Sequence, residues 1–310
     1  FPLRIVSTKM PVGINFKAGV SAQIKSAVIF AGLNSYGNTE IIEQYKSRDH
    51  TENILLNNTQ TIKVKKGIKK KIKVYGKKYL NPTYVNVPGD PSSAAFFTAL
   101  TLLNSKSSLK IKNVGLNPTR IGFYQLLKNQ GANIRLKVLK KENNEPRGDI
   151  YVKSCKLKPI KASKEYYVNS TDEYPILFVI AALTNGNSIF KGIEDLANKE
   201  SNRIIEMQKV LKQVGIKSIS SKNELTIYGK GMINASNKKI IVNNLGDHRI
   251  CMSTFILAIL TGAKTKIKNV VNKNLIIPLI ILFYTTNFLK SRLFPHLKLF
   301  LDLNFQNLFY

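Results

Sequence analysis

Apolar positions along this chain follow two rhythms. Short stretches with strand-like spacing alternate with longer ones that are apolar at helical spacing or apolar throughout. Residues 1–5 and 15–19 read as strands, and Ser21-Ala22-Gln23 opens a helix whose apolar face includes Ile24, Ala27, Val28 and Ala31. A glycine-rich exit over 32–37 leads to a strand over 39–43. Ser47-Arg48-Asp49-His50-Thr51-Glu52 then starts a second helix, with Asp49 and Glu52 at capping-box spacing. Residues 63–79 alternate loosely with lysines and contain glycine, which predicts a solvent-facing hairpin with its lysines outside.

The rhythm then repeats. Val87-Pro88-Gly89-Asp90-Pro91-Ser92-Ser93 precedes an apolar helix over 94–103, and 108–113 reads as a strand. Asn117-Pro118-Thr119-Arg120 caps the next helix, which ends at Gly131, and strands follow over 134–138 and 149–152. Ser170, Thr171, Asp172 and Glu173 stand before the apolar run 175–183, with Ser170 and Glu173 at capping-box spacing and Pro175 in the first turn. A β-like run over 188–192 leads to Lys199-Glu200-Ser201-Asn202-Arg203, which opens a helix closed by Gly215. Lys199 and Arg203 are four apart and share a face if both are helical. Strands are predicted over 224–228 and 239–242, an apolar helix over 250–260 opened by Gly246-Asp247-His248-Arg249, and a strand over 265–271.

One unit therefore recurs: strand, capped apolar helix, strand, polar cap with a cation, second helix, strand. First-helix anchors are Ser21, Asp90, Asp172 and Asp247, and second-helix cations are Arg48, Arg120 and Arg203. The period of roughly 70–80 residues suits a repeated α+β subdomain rather than a solenoid. Helix N-termini gathered in this way attract phosphate and carboxylate, so the pattern points to a binder of phosphorylated or carboxylated small molecules. Taken singly, each cluster also reads as plain helix capping beside a solvated charged face.

Composition changes this picture in a few places. A 310-residue chain with 44% hydrophobic residues has material for a real core. Its net charge of +30 permits nucleic acid, an anionic membrane or phosphorylated metabolites as partners. The excess is mostly lysine in a chain also rich in Asn and Ile, three residues with A/T-rich codons. The basic run lacks the aromatic stacking pattern of a nucleic-acid stripe, and no recognised binding module surrounds it. Cys155 and Cys251 form no motif, and His50, His248 and His296 lack metal-ligand spacing, so neither a disulfide framework nor a metal site is expected. The opening at Phe1 lacks the features of a signal peptide and reads as a cut inside a gene, with the cytoplasm as the default compartment. From residue 272 the repeat stops. The apolar stretch 276–284 is interrupted by Pro278 and falls short of the roughly 20 residues a bilayer span needs. Residues 288–310 are Leu/Phe-rich, and the expectation is a frameshifted, non-native tail.

Several stretches together resemble the 5-enolpyruvylshikimate-3-phosphate synthase family. They are Ser21-Ala22-Gln23-Ile24-Lys25-Ser26, Ser47-Arg48-Asp49-His50-Thr51-Glu52, Val87-Pro88-Gly89-Asp90-Pro91-Ser92-Ser93-Ala94-Ala95, Asn117-Pro118-Thr119-Arg120, Asp172-Glu173-Tyr174-Pro175, Lys199-Glu200-Ser201 with Arg203, and Asp247-His248-Arg249-Ile250. Each is weak alone; the ordered set is strong and covers residues 1–271. The resemblance implies an α+β, enolpyruvyl transferase-like two-domain fold of repeated units, one domain being incomplete here. On that basis residues 1–84 are the last repeat of the first domain, 85–271 the second domain and 272–310 the atypical tail.

The implied activity is transfer of the enolpyruvyl group from phosphoenolpyruvate to the 5-hydroxyl of shikimate 3-phosphate, releasing phosphate without metal or cofactor, in a monomer that binds neither nucleic acid nor membrane. By family match Ser21, Ala22, Gln23 and Arg48 hold shikimate 3-phosphate, mainly its phosphate. A hydroxyl, backbone N–H groups and a guanidinium are suitable donors for a phosphate dianion. Asp172 is the implied base, Lys199 orients the reacting hydroxyl, and Glu200 gives a proton to the methylene carbon. Gln23, Arg203 and Arg249 hold phosphoenolpyruvate, forked guanidinium groups suiting carboxylate and phosphate. Asp247 and His248 have the plainer role of capping and supporting Arg249.

Two departures stand out. The family's first portion, with further phosphate- and phosphoenolpyruvate-binding residues, has no counterpart here, so the 310-residue chain is expected to be inactive alone. The Arg and Asp that commonly flank Lys-Glu-Ser are Ala197 and Asn202. The alternatives are a UDP-N-acetylglucosamine enolpyruvyl transferase, a basic nucleic-acid-binding protein, and a non-catalytic remnant that binds substrate weakly. The first of these normally uses a loop cysteine, whereas Cys251 lies in an apolar helix.

Overall fold

The computed structural model describes residues 4, 6, 8–58, 60–243 and 246–268. The strand expected over 1–5, the end of the strand over 265–271 and the tail from 272 lie outside the described residues or largely so.

The chain forms two compact units. The first comprises Phe1–Pro88, Gly115–Arg120 and Val138–Gly148, and the second comprises Gly89–Val114, Ile121–Lys137 and Asp149–Tyr310.

In the first unit the order is β1 (Asn15–Ala18), α1 (Ala22–Leu33), β2 (Asn38–Glu43), α2 (His50–Leu55), β3 (Ile62–Lys65) and β4 (Lys70–Tyr75). The sheet order is β1-β2-β4-β3; β1 pairs parallel with β2, and β4 pairs antiparallel with both β2 and β3. The expected lysine-rich hairpin is thus β3–β4. Alternation along the strands sends Ile41, Ile62, Ile72 and Val74 into a core with Ala18, Ile29 and Leu55, while Lys63, Lys65 and Lys71 stay outside.

Helix α1 departs from expectation. Lys25, Ile29 and Gly32 face inward, whereas Ile24, Ala27 and Ala31 are exposed. The helix is apolar nearly all round, so periodicity does not choose its buried side. Buried carboxylates that pair with Lys25 favour the observed side.

The same order of elements continues with α3 (Pro91–Leu103), β5 (Ser108–Gly115), α4 (Gly122–Asn129), β6 (Ile134–Glu142) and β7 (Glu145–Lys153). These strands form a sheet of order β5-β7-β6, and Gly89 makes a parallel bridge to Val114 where the other copies have a first strand. The third copy is β8 (Lys161–Ala162), α5 (Lys164–Ser170), a 3-10 turn (Thr171–Glu173), α6 (Tyr174–Ala182), β9 (Asn185–Lys191), α7 (Arg203–Gln213), β10 (Lys217–Ser220) and β11 (Glu224–Lys230). Its sheet order β10-β11-β9-β8 reproduces the first, β8 and β9 being parallel and β11 antiparallel to its neighbours. A half copy follows: β12 (Lys239–Asn243), α8 (His248–Thr261) and β13 (Lys264–Lys268), with β12 and β13 parallel. The chain is therefore an α+β protein of recurring βαβαββ units.

Within the second unit α3, α6 and α8 pack on one another. All nine residues of α6 are buried, as an apolar helix without a polar face requires. Two of their starts follow the sequence closely. Asp90 accepts from the N–H groups of Ser92 and Ser93, with Pro91 in the first turn, and Asp247 accepts from Arg249 N–H.

Ser21 likewise caps α1, but three other expected caps are not made. Neither Asp49 nor Ser170 makes a side-chain cap, and α4 has no side-chain cap at Ile121. Asn117 instead holds its own turn, its Oδ1 accepting from Thr119 N–H at 2.8 Å. Glu52 and Glu173 turn inward to buried partners, Lys25 for the first and Ser92 for the second. A carboxylate that finds a buried donor gains more there than at an exposed helix end.

Candidate active site

Four elements of the second unit bring their polar ends together. The turn before α6 supplies Asp172, the segment before α7 supplies Glu200 and Ser201, α7 itself begins with Arg203, and the start of α8 supplies Asp247 and Arg249. Arg203 is the centre. Its side chain is 1% exposed, and its Nε donates to Asp247 Oδ2 at 2.9 Å. Its Nη2 donates to Glu200 Oε2 at 2.6 Å, and its Nη1 lies 3.5 Å from Asp172 Oδ1. Arg249 Nη2 stands 3.8 Å from the other Asp172 oxygen. Ser201 Oγ donates to Asp247 Oδ2 at 2.9 Å.

Burial alone disfavours a charged guanidinium; Asp247, Glu200 and Asp172 outweigh it and hold the pKa of Arg203 above its ordinary value. Next to this cluster, burial lowers the pKa of His248, and the charge of Arg249 lowers it further against the pull of Asp247. His248 is accordingly harder to protonate than an ordinary imidazole. The cluster joins fixed positive charge to two carboxylates that reach solvent, Asp172 at 21% and Glu200 at 52% side-chain exposure. Such an arrangement can bind an anion and move a proton on either side of it.

Asp172, Glu200, Arg203 and Arg249 were all expected site residues, and the structure brings the four together. Lys199 is held differently. It precedes α7 instead of sharing its face with Arg203, because the helix starts at Arg203 under an Asn202 cap whose Oδ1 accepts from Ile205 N–H. Lys199 Nζ pairs with Asp195 Oδ2 at 2.6 Å, and Tyr167 donates its hydroxyl proton to the same oxygen at 2.9 Å. Burial raises the Asp195 carboxyl, but the hydrogen bonds from Lys199 and Tyr167 and the charges of Lys199 and Arg203 leave it below its ordinary value. Sequence reasoning missed Asp195, Tyr167 and Ser201 as partners, and gave Asp247 only a cap. Asn202, where the family commonly has Asp, still caps the helix.

In the first unit Ser21 caps α1, its Oγ accepting from Ile24 N–H at 3.4 Å, and Ala22 and Gln23 form the first turn. Arg48 lies just before α2. Around it, Asp49 Oδ1 accepts from Asn117 Nδ2 at 2.9 Å, and His50 Nδ1 lies 2.9 Å from Glu145 Oε1. A cavity of about 490 Å³ in the same unit is lined by Ser47, Asp49, Lys46, Lys66, Lys70 and Asn117 among others. Among the described residues no cluster of three or more His, Cys, Asp or Glu side chains could hold a metal, and no helix is long and apolar enough to cross a membrane.

Solved structures share this architecture. The EPSP synthase from Acinetobacter baumannii superposes with a TM-score of 0.73 at 31% identity over 92% of this chain and 63% of that one. The enolpyruvyl transferase NikO from Streptomyces tendae has the same fold, with a TM-score of 0.63 at 14% identity over 89% of this chain and 65% of that one. The chain thus has the enolpyruvyl transferase fold.

The sequence profile of the family described as EPSP synthase (3-phosphoshikimate 1-carboxyvinyltransferase) matches residues 1–274. The 3-phosphoshikimate 1-carboxyvinyltransferase of Sphingopyxis alaskensis is 38% identical over 252 residues, 81% of this chain and 56% of that protein. The chain belongs to the EPSP synthase family. It spans less than two thirds of the length of these relatives.

Proposed function

We propose that the protein serves the transfer of the enolpyruvyl group from phosphoenolpyruvate to the 5-hydroxyl of shikimate 3-phosphate, within aromatic amino acid biosynthesis in the cytoplasm. The observation that carries this reading is the Asp172–Arg203–Asp247–Arg249 cluster, with Glu200 at its edge, in a chain of this family.

Each residue then has a role. Ser21, Ala22, Gln23 and Arg48 hold shikimate 3-phosphate, mainly through its phosphate. Asp172 takes the proton of the 5-hydroxyl, and Lys199, steadied by Asp195, orients that hydroxyl. The hydroxyl oxygen bonds to the central carbon of phosphoenolpyruvate while Glu200 protonates the methylene carbon. Loss of phosphate and of a methyl proton restores the double bond. Gln23, Arg203 and Arg249 grip phosphoenolpyruvate, its anionic groups displacing Asp172 and Glu200 from the two guanidinium forks. Residues 1–84 are the last repeat of one domain and 85–271 belong to the second. The protein works as a monomer, on small molecules alone, without metal or cofactor.

The test is a calorimetric titration of the purified chain with shikimate 3-phosphate, beside growth of an aromatic-requiring bacterial strain carrying the complete reading frame. Saturable binding that Arg48→Ala abolishes, with growth that Asp172→Asn abolishes, supports the reading. No response to shikimate 3-phosphate, together with steeply salt-dependent binding to random DNA, overturns it.

A further inference from the structure

The first unit contains a buried ionic network that none of the roles above uses. Lys25 sits on α1 one turn after Ser21-Ala22-Gln23, with its side chain fully buried. Its Nζ donates to Glu43 Oε1 at 2.7 Å and lies 2.8 Å from Glu52 Oε1. Glu43 ends β2, Glu52 lies on α2, and both side chains are within 2% of full burial. Lys70, at the start of β4, reaches the same two carboxylates at 3.5 and 2.9 Å. Two cations meet two anions, so the network is neutral as a whole.

Ser47 completes it. Glu43 Oε1 accepts from Ser47 N–H at 3.0 Å and from Ser47 Oγ–H at 2.7 Å, in addition to Lys25. Ser47 directly precedes Arg48. One carboxylate oxygen therefore ties the first turns of α1 to the backbone that carries Arg48. Ser26 and Thr51 add a second tie between α1 and α2 through a 2.7 Å hydrogen bond.

A buried lysine costs desolvation and side-chain entropy, and apolar residues of similar volume commonly serve stability as well or better. The residues around Lys25 could have been an ordinary extension of the Ile29, Ile41 and Ile72 core. What the ion network supplies that apolar packing does not is direction. Three donors converge on one oxygen and fix the Ser47–Arg48 backbone at a set place relative to α1.

We propose that Lys25 is a positioning residue, which through Glu43 and Ser47 holds the backbone of Arg48 in register with the Ser21-Ala22-Gln23 turn. Its consequence for substrate rests on the reading of those residues as the shikimate 3-phosphate site.

The test uses the full chain with Lys25→Met, Glu43→Gln and Ser47→Ala, the last removing a tether without exposing a buried charge. The first readout needs no ligand: amide hydrogen exchange at Ser47 and Arg48, with the amides of β2 and β4 as internal reference. Exchange at Ser47 and Arg48 at least tenfold faster, with the reference unchanged, supports the proposal. Unchanged exchange in folded Glu43→Gln and Ser47→Ala overturns it, even where Lys25→Met fails to fold.

The second readout is affinity for shikimate 3-phosphate against unphosphorylated shikimate. The expected result is a loss of at least tenfold for the phosphate ester and little change for shikimate. Equal loss for both ligands overturns a phosphate-positioning role. Faster exchange in the variants, with a wild-type chain indifferent to shikimate 3-phosphate, upholds the positioning role and removes the substrate reading instead.

Discussion

Arg203 and Asp247 lie 44 residues apart, yet Arg203 Nε donates to Asp247 Oδ2 at 2.9 Å with both side chains 1% exposed. The same aspartate caps α8 through Arg249 N–H and accepts from Ser201. One carboxylate thus sets the start of a helix, a serine and the central cation of the site.

Asp247→Asn leaves a buried guanidinium without its main counter-charge. Breaking a buried pair from one side costs about 3–5 kcal/mol. Urea unfolding of the variant is expected to show a loss of that order. Glu200→Gln, at the solvent edge of the same arginine, is expected to cost under about 1 kcal/mol. A comparable loss for both variants contradicts this ranking.

Acid tests the network around Lys25. Burial pushes the Glu43 carboxyl up, but hydrogen bonds from Lys25 and Ser47 and the charges of Lys25 and Lys70 outweigh it and leave the pKa below the ordinary 4.5. A carboxylate depressed in the folded state adds stability that is complete above its unfolded pKa and is lost as pH falls through the folded one. The melting temperature should therefore fall on acidification below about pH 4.5, and Glu43→Gln should flatten that fall. Glu145 shifts the same way, burial being outweighed by hydrogen bonds from His50, Asn53 and Asn117, and adds to the effect. A wild-type melting temperature independent of pH between 6 and about 3 counts against both assignments.

The two cysteines should differ as reagents. Cys251 is fully buried in α8, and burial with the nearby Asp247 charge pushes its thiol up to about 12. Cys155 is only partly buried. An aromatic disulfide reagent at pH 8 is expected to titrate one thiol in the native chain and both in denaturant. Rapid native reaction of two thiols would show that α8 is not packed as described.

Two glycines hold corresponding places in the repeat. A Cβ on Gly76 would stand 1.9 Å from Ser35 O, and one on Gly229 would stand 1.9 Å from Thr184 O. Gly76 directly follows β4 and packs on the end of α1, and Gly229 lies near the end of β11 and packs on the end of α6. Alanine at either position forces backbone apart, with a cost of about 1–3 kcal/mol or more. Gly19, with nothing within 4 Å of its Cβ position, should accept alanine with little change. Denaturant midpoints of the three variants decide whether the two places are equivalent.

The sequence by itself settled whatever depends on neighbours along the chain. Ser21, Asp90 and Asp247 cap helices where their short oxygens precede apolar runs, and the helix after Pro175 is buried all round because it has no polar face. The lysine-rich hairpin and the recurrence of βαβαββ units follow from period and turn residues in the same way. The family resemblance of the ordered motifs assigns Asp172, Lys199, Glu200, Arg203 and Arg249 to one site with Ser21, Ala22, Gln23 and Arg48, and of these the structure gathers Asp172, Glu200, Arg203 and Arg249 in one cluster.

Only the tertiary structure decided how the buried charges pair. Lys25 faces inward and Ile24 outward, although the sequence spacing puts Ile24 on the apolar face of that helix. Glu52 and Glu173 leave their capping spacing for Lys25 and Ser92, and Lys199 leaves the face of Arg203 for Asp195. Local spacing ranks caps and helix faces by energies of about 1 kcal/mol or less. A charge buried without a partner costs several times that, so the long-range partner prevails wherever the fold supplies one.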